Sequence, residues 1–377
     1  MTVSTSTDAA IAALHVAAYK IPTDRPEADG TIAWNHTTLV CVHAQAGDAT
    51  GIGYTYADTA TAHLIDELLA AKVCGRDALD IPAAWIAMVR AIRNLGRPGI
   101  ASMAIAAVDT ALWDLKAKLL GVPLVALLGA ARDRVPVYGS GGFTSYTIDE
   151  LQRQLAGWAE DGIGRVKMKI GTHPEDDLQR VRAAREAIGP EVKLFVDANG
   201  AYDRKQALWF AERFAELGVA WFEEPVSSDD LEGLHLLRDR APAVMEIAAG
   251  EYGYDLSYFR RMLEAEAVDV LQADATRSAG ITGFMQVAAL CSARSMALSA
   301  HCAPSLHAHP CCAALPLRHL EYFHDHARIE RMLFDGFQPP MDGALVPDRS
   351  RPGIGLELKQ ADARRYLVWA SSESESS

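Results

Sequence analysis

Apolar positions along this chain change their period twice. Within residues 10–57 they crowd into two runs, IAALHVAAYKIP and TTLVCVHAQAG, rich in β-branched residues, which predict strands. Between them PTDRPEADGTIAWN, full of Pro, Gly and Asp, predicts a long loop, and a loop of that length in a compact protein is often functional. From about residue 58 to 130 the period becomes helical. Ile105, Val108, Leu112, Leu115 and Leu119 share one face, and Gly121 and Pro123 follow as stop signals.

After VPVYGSGGF a third rhythm begins. Thr147 and Glu150 form a capping-box pair ahead of Leu151, Leu155 and Trp158. Short apolar runs then alternate with helical stretches: RVKMKIG, KLFVDANG, AWFEEP, MEIAAGE, DVLQADA and ALSAHC. That alternation predicts a parallel sheet with helical crossovers, and seven or eight such units fit a closed barrel better than an open sheet. The last seven residues, SSESESS, read as a small disordered tail.

Bulk properties narrow the partners. A chain of 377 residues suggests a large domain plus a smaller one. No apolar run approaches the roughly 18 residues that span a membrane, and MTVSTSTDAA has no basic, apolar leader, so the expected compartment is the cytoplasm. The net charge of −13 argues against nucleic acid. It also sets a puzzle for an anionic substrate, which a bound divalent cation would resolve locally. The six cysteines are sparse and lack framework spacing, and they read as reduced thiols.

Candidate chemistry sits at the ends of the strand-like runs. In order these carry Lys167 and Lys169, Asp197, Glu223, Glu251, Asp274, His301 and Glu321, at steps from Lys169 of 28, 26, 28, 23, 27 and 20 residues. Those steps are lengths of one strand–helix unit. A single acid in such a place is more often a helix cap or a solvated residue. The whole series, converging on one barrel mouth, is a candidate active site. Asp197, Glu223 and Glu251 on consecutive strands would repel one another without a cation, and all-oxygen ligation favours magnesium over zinc. Asn199 and Glu224 are candidate partners of those ligands, an ordinary rim charge being an equal reading of Glu224. Lys167 and Lys169 alternate on one strand and would lower each other's pKa, making one a base. Asp274 beside His301 would fix its tautomer and give a second acid/base, and Glu321, protonated or sharing a proton, could bond to a developing oxyanion. In HCAPSLHAHPCC, zinc ligation by His301, Cys302, His307, His309, Cys311 and Cys312 ranks below that dyad, because the spacing matches no standard pattern. His307 and His309 read as loop or rim residues.

With VKMKIG, DANG, WFEEP, AAGE, DATRSAGIT, SAH and HLE in this order, and AIAAVDTALWDLKAKLLGVPLVALLG ahead of them, the chain resembles the mandelate racemase subgroup of the enolase superfamily over roughly residues 100–325. The resemblance implies α/β architecture: a modified TIM-type (β/α) barrel at 131–335 under an α+β cap at 1–130. Residues 336–370 would return to the cap, and 371–377 would form the tail. It implies Mg2+ on Asp197, Glu223 and Glu251, Lys169 as one base tuned by Lys167, His301 with Asp274 as the other, and Glu321 as the hydrogen-bonding acid. PTDRPEADGTIAWN would close over the substrate, and the chain would assemble as a symmetric homo-oligomer. The sixth-strand motif departs from the usual pattern, since Arg277 is followed by Ser278, Ala279 and Gly280 where Gly-Gly is common.

Two bases on opposite faces allow dehydration of an acid sugar, or racemisation, epimerisation or lactone cycloisomerisation of a related hydroxy acid. The polar set Asp24, Arg25, Glu27, Asp29, Trp34 and Asn35 suits a polyhydroxylated acid, which favours the dehydratase; Trp34, Arg25 and Asn199 are the candidate substrate contacts. A non-catalytic sugar-acid-binding barrel would have lost a base or a ligand, and none is missing. A zinc hydrolase would want His at the first strand, and VPVYGSGGF has none.

Overall fold

The computed structural model describes residues 9–372. The first strands are β1 (Ala13–Ala28), β2 (Ala33–Ala46) and β3 (Ala49–Tyr56), an antiparallel meander. The expected long loop is instead a bulged ribbon. Pairing runs to Pro22↔His36, skips Thr23 to Pro26, and resumes at Glu27↔Trp34 and Ala28↔Ala33. Pro26 cannot donate to a ladder, so the bulge falls where the proline does, and the strands close again beyond it.

Helix Ile100–Leu119 packs across β3 through two glycines. A Cβ on Gly51 or Gly53 would sit 2.2 Å from the carbonyl oxygen of Ala111 or Ala107, so only glycine admits the helix this closely. Val40, Val42, Ile65, Leu69, Ile105 and Leu112 fill the space between sheet and helices.

Eight parallel strands follow: β4 (Val135–Gly141), β5 (Arg165–Lys169), β6 (Lys193–Asp197), β7 (Val219–Glu223), β8 (Glu246–Ala249), β9 (Val270–Ala273), β10 (Ala297–Ala300) and β11 (Leu317–Phe323). Each pairs with the next, and Leu320↔Val137 closes β11 onto β4, so the barrel is complete. Thr147 and Glu150 form the expected capping box. The two-residue strands β12 (Phe334–Asp335) and β14 (Glu357–Leu358) pair with each other, and β13 (Ala344–Leu345) lies antiparallel on β4.

The chain then returns to its beginning. β15 (Leu367–Ala370) pairs with β1, and Ser371 accepts and donates hydrogen bonds at Val16. The expected tail therefore starts later than residue 371, and residues 373–377 lie outside those described, as do 1–8. Inside the barrel, Tyr138, Phe195, Trp221 and His319 stack into an aromatic plug, with Phe195 and Trp221 centroids 5.2 Å apart. The plug seals the floor beneath the C-terminal strand ends. No helix among the described residues is long and apolar enough to cross a membrane.

Candidate active site

Strand alternation turns Lys167 and Lys169 to one side of β5 and Met168 into the shell of core between barrel and helices. Lys167 is wholly buried over the plug, 5.3 Å from the Tyr138 ring centre. Its ammonium donates to Glu223 and lies 2.8 Å from Glu321 Oε1 and 3.3 Å from Asp197 Oδ2. Lys169 Nζ donates to Asp197 Oδ2 at 2.5 Å and to Asn199 Oδ1 at 3.1 Å. The lowered lysine pKa expected from the sequence is not found. Burial disfavours both charges, and Lys167 does push Lys169 down. However, Glu223 and Glu321 hold Lys167, and Asp197 holds Lys169, above the ordinary lysine range.

One oxygen each of Asp197, Glu223 and Glu251 lies within 4.8 Å of the others, and all three residues are buried. Burial, then Asp197, pushes the Glu223 carboxyl up to about 8. Glu224 is not a rim charge: it is fully buried, neither carboxylate oxygen has a partner, and its backbone is left-handed at φ 37°. Burial and the neighbouring Glu251 drive its carboxyl well above the usual range. Glu251 is buried too, yet His301 and Arg277 hold it well below that range, and its Oε2 also lacks a hydrogen-bond partner. Arg277 Nη1 donates to the Glu251 carbonyl at 3.0 Å and lies 3.3 Å from its Oε1. Buried carboxylate oxygens without donors are costly unless a cation completes them. An all-oxygen set so placed fits a hard divalent ion.

Across the mouth the histidine half is closed by hydrogen bonds. His301 Nδ1 meets Asp274 Oδ2 at 2.8 Å, and Asp274 Oδ1 accepts from Thr276 N and Oγ1 at 2.7 Å each. Nδ1 therefore carries the proton and Nε2 faces the mouth. Glu321 Oε1 accepts from Ser140 Oγ at 2.5 Å and is held by Lys167, while Oε2 accepts from Cys302 N at 3.2 Å. Despite burial, Lys167 and His301 hold the Glu321 carboxyl below the usual carboxylate range, the opposite direction to the protonated form expected.

The ribbon contributes unequally. Trp34 Nε1 donates to Glu27 Oε2 at 2.8 Å, and its ring meets Phe143 edge-on, 5.7 Å between centres. Glu27 is buried, and burial followed by Asp325 pushes it up to about 9. Arg25 is not brought to the centre; half-exposed, it pairs with Glu150 of the capping box. Asp29 caps its own turn through Thr31 N and Ile32 N, and Asp24 meets His324 at 3.0 Å.

His307 and His309 are not loop or rim residues. Both are buried within helix Pro304–Ala313. His307 Nδ1 donates to Cys302 O at 2.8 Å while its Nε2 accepts from Ala275 N, and His309 Nε2 bonds Ile354 O. Among the described residues, neither joins Cys311 or Cys312 in a metal-ligand set. Sequence reasoning missed Ser140, whose place near the end of β4 was the one signal that could have marked it, and weighed Cys302 only as one member of the lower-ranked zinc set.

A capped barrel with lysines, carboxylates and a His–Asp pair at its strand ends defines an enolase-type enzyme. The chain belongs to the mandelate racemase/muconate lactonizing enzyme family of that superfamily. Residues 11–129 match the family model for the mandelate racemase/muconate lactonizing enzyme N-terminal domain, and residues 150–363 match the enolase C-terminal domain-like model. It is 34% identical over 322 residues to L-talarate/galactarate dehydratase of Salmonella typhimurium, covering 84% of this chain and 79% of that one. A mandelate racemase/muconate lactonizing enzyme-like protein from Rubrobacter xylanophilus superposes with TM-score 0.94 at 55% identity, over 95% of this chain and all (100%) of that one. A racemase from Streptomyces coelicolor A3(2), crystallised with bound magnesium, gives 0.89 at 31%, over 95% and 100%.

Proposed function

We propose that this chain is a magnesium-dependent acid-sugar dehydratase, converting a sugar acid to its 2-keto-3-deoxy product. The observation that carries the reading is a pair of acid/base groups on opposite arcs of one mouth, Lys169 on β5 and His301 after β10, with a buried carboxylate cluster between them. The similarity to a dehydratase supports the same choice.

Asp197, Glu223 and Glu251 would hold the ion, with the buried Glu224 carboxyl close behind them. Bound there, magnesium would offset the carboxylate charge that keeps Lys169 protonated and would stabilise negative charge on the substrate carboxylate. Lys169 then removes the α-proton, oriented by Asn199 Oδ1. Lys167 stays a fixed cation, pinned by Glu223 and Glu321 at the plug. His301 Nε2 hands a proton to the departing β-hydroxyl, and Asp274 steadies the imidazolium through Nδ1. Trp34, packed edge-on against Phe143 in the apolar cluster that holds Cys302, would help to exclude water from this side of the mouth and so strengthen the charge interactions inside.

A library of acid sugars with Mg2+, assayed for 2-keto-3-deoxy products, tests the reading. Product that vanishes with EDTA is the expected result. The second reading is a racemase or epimerase, favoured by the similarity to the Streptomyces coelicolor racemase. Deuterium incorporation at the α-carbon in D2O without dehydration would replace the first reading by the second.

A further inference from the structure

Of the histidine- and cysteine-rich stretch, only His301 and Cys302 reach the mouth, where they meet Glu321. We propose that His301 Nε2, Cys302 Sγ and Glu321 Oε2 form a second metal site, for a borderline or soft divalent cation such as zinc or cadmium, whose occupation blocks turnover. The blocking rests on His301 acting as proposed above; the binding does not.

The geometry is that of one face of a tetrahedron. Nε2 to Sγ is 3.3 Å, Sγ to Oε2 is 3.5 Å, and Nε2 to Oε2 is 3.6 Å. At ordinary zinc bond lengths, N, S and O ligands at tetrahedral angles lie about 3.4–3.6 Å apart. The three atoms need almost no movement to take up an ion.

Each donor is also prepared from behind. His301 presents Nε2 because Nδ1 is bonded to Asp274, the carboxylate–histidine pairing that supports metal-bound imidazoles. Glu321 presents Oε2 because Oε1 is taken by Ser140 and Lys167. Cys302 has left-handed backbone at φ 54° and packs against Phe143, Tyr146 and Phe323. Glu251 Oε2, on a side chain 3% exposed, lies 3.3 Å from His301 Nε2, so the magnesium cluster and this set adjoin through that pair.

The two sites sort cations by hardness. Asp197, Glu223 and Glu251 offer oxygen alone, while this set offers one imidazole, one thiolate and one carboxylate. Binding releases the Cys302 thiol proton, and any proton on Nε2, to solvent. The Nε2 lone pair is then held by the metal and cannot shuttle a proton.

The test is titration of magnesium-saturated protein with cadmium, reading the ultraviolet thiolate-to-cadmium charge-transfer band. The magnesium site holds no thiol and gives no such band. One equivalent should produce it. Cys302→Ala should abolish it while its Mg2+ binding by calorimetry stays at the wild-type value, and Glu321→Gln, which keeps the thiol, should weaken cadmium at least about tenfold. No band in the wild type, or a band persisting in Cys302→Ala, overturns the proposal. Once a substrate is known, zinc should inhibit the wild type at concentrations about a hundredfold below those needed for Cys302→Ala. Equal sensitivity overturns the inhibitory part. If no substrate is found, the cadmium band decides the site by itself.

Discussion

Among the acids buried at the barrel mouth, Asp197, Glu223, Glu224 and Glu251 form one cluster, and four others, Asp109, Asp114, Asp325 and Glu330, are buried where the cap meets the barrel and the returning C-terminal segment. The seam acids are fully provided with donors. Asp109 accepts from Thr282 N and Oγ1, and Asp114 from Ile52 N, Ile354 N and Lys118. Glu330 accepts from Tyr54 OH and Ser305 N, and Asp325 from Thr37 Oγ1 and Arg328. At the mouth, neither oxygen of Glu224 has a hydrogen-bond partner, and Glu251 Oε2 has none either, with only the His301 ring 3.3 Å away. Burial is the same in the two places. Asp197 and Glu223 are held by the two lysines, so what sets the mouth cluster apart is its oxygens without donors, on Glu224 and Glu251, which the seam acids lack.

The sharpest way to break that comparison is by rate. Lys169→Ala or His301→Asn should lower kcat for dehydration about a thousandfold or more, since each removes a proton carrier. Asp109→Asn, at the seam, should leave kcat within a few-fold. An equal loss in the seam variant, measured on protein of native circular dichroism, would mean that donor count does not distinguish the two sets.

Stability should show the opposite ranking. Asp114→Ala strands two backbone N–H groups and Lys118, and should cost about 3 kcal/mol in urea unfolding. Glu224→Gln removes the cost of keeping a buried carboxyl without hydrogen-bond partners protonated at neutral pH, and should raise metal-free stability by about 1 kcal/mol. Magnesium at a hundred times its Kd should add about 2.7 kcal/mol to the wild type. A metal-free protein destabilised by Glu224→Gln would show that its carboxylate has a partner after all.

Asp109 and Glu330 also make the seam sensitive to pH. Burial, outweighing their donors, pushes each up to about 7. A raised acid favours the protonated folded state. Its contribution is complete below the unfolded carboxylate pKa and is lost as pH rises through about 7. With magnesium saturating, so that the mouth stays ionised, urea stability should fall by about 1 kcal/mol per pH unit for each group between pH 5 and 7. A flat profile would mean that the seam acids remain charged.

How much of this the sequence carried follows from what it encodes locally. The strand-end series was legible because a closed barrel brings residues about one strand–helix unit apart to one rim, and every residue in it, Lys167 to Glu321, is at the mouth. Donor count was not legible, because the groups facing Glu224 come from other strands. The lysine pKa direction failed for the same reason: the neighbour on the same strand was visible, while Glu223, Glu321 and Asp197 across the barrel outweighed it. The ribbon was misread because Pro, Gly and Asp mark a bulged hairpin as readily as an open loop. Arg25 failed because its partner, Glu150, lies 125 residues away.

The smallest effect tests the departure at Ser278-Ala279-Gly280. Ala279 is left-handed at φ 63°, a conformation that costs a non-glycine residue about 1–2 kcal/mol. Ala279→Gly removes that strain. It also exposes the loss of a methyl buried at 1% exposure, worth about 0.8 kcal/mol, and it loosens the unfolded chain by about 0.4–1 kcal/mol. The three terms nearly cancel, so unfolding free energy should move by less than about 1 kcal/mol. The turn itself is held elsewhere, by Ser278 Oγ on Asp274 O and by Thr276 on the Asp274 carboxylate. Those bonds fix the acid that orients His301, and none involves the Ala279 side chain. kcat and its pH profile should therefore be unchanged in Ala279→Gly, whereas Thr276→Val, which removes one donor to Asp274, should shift the His301 limb of that profile. A shift in Ala279→Gly of the same size would place the departure inside the catalytic half of the mouth, on the same footing as the dyad.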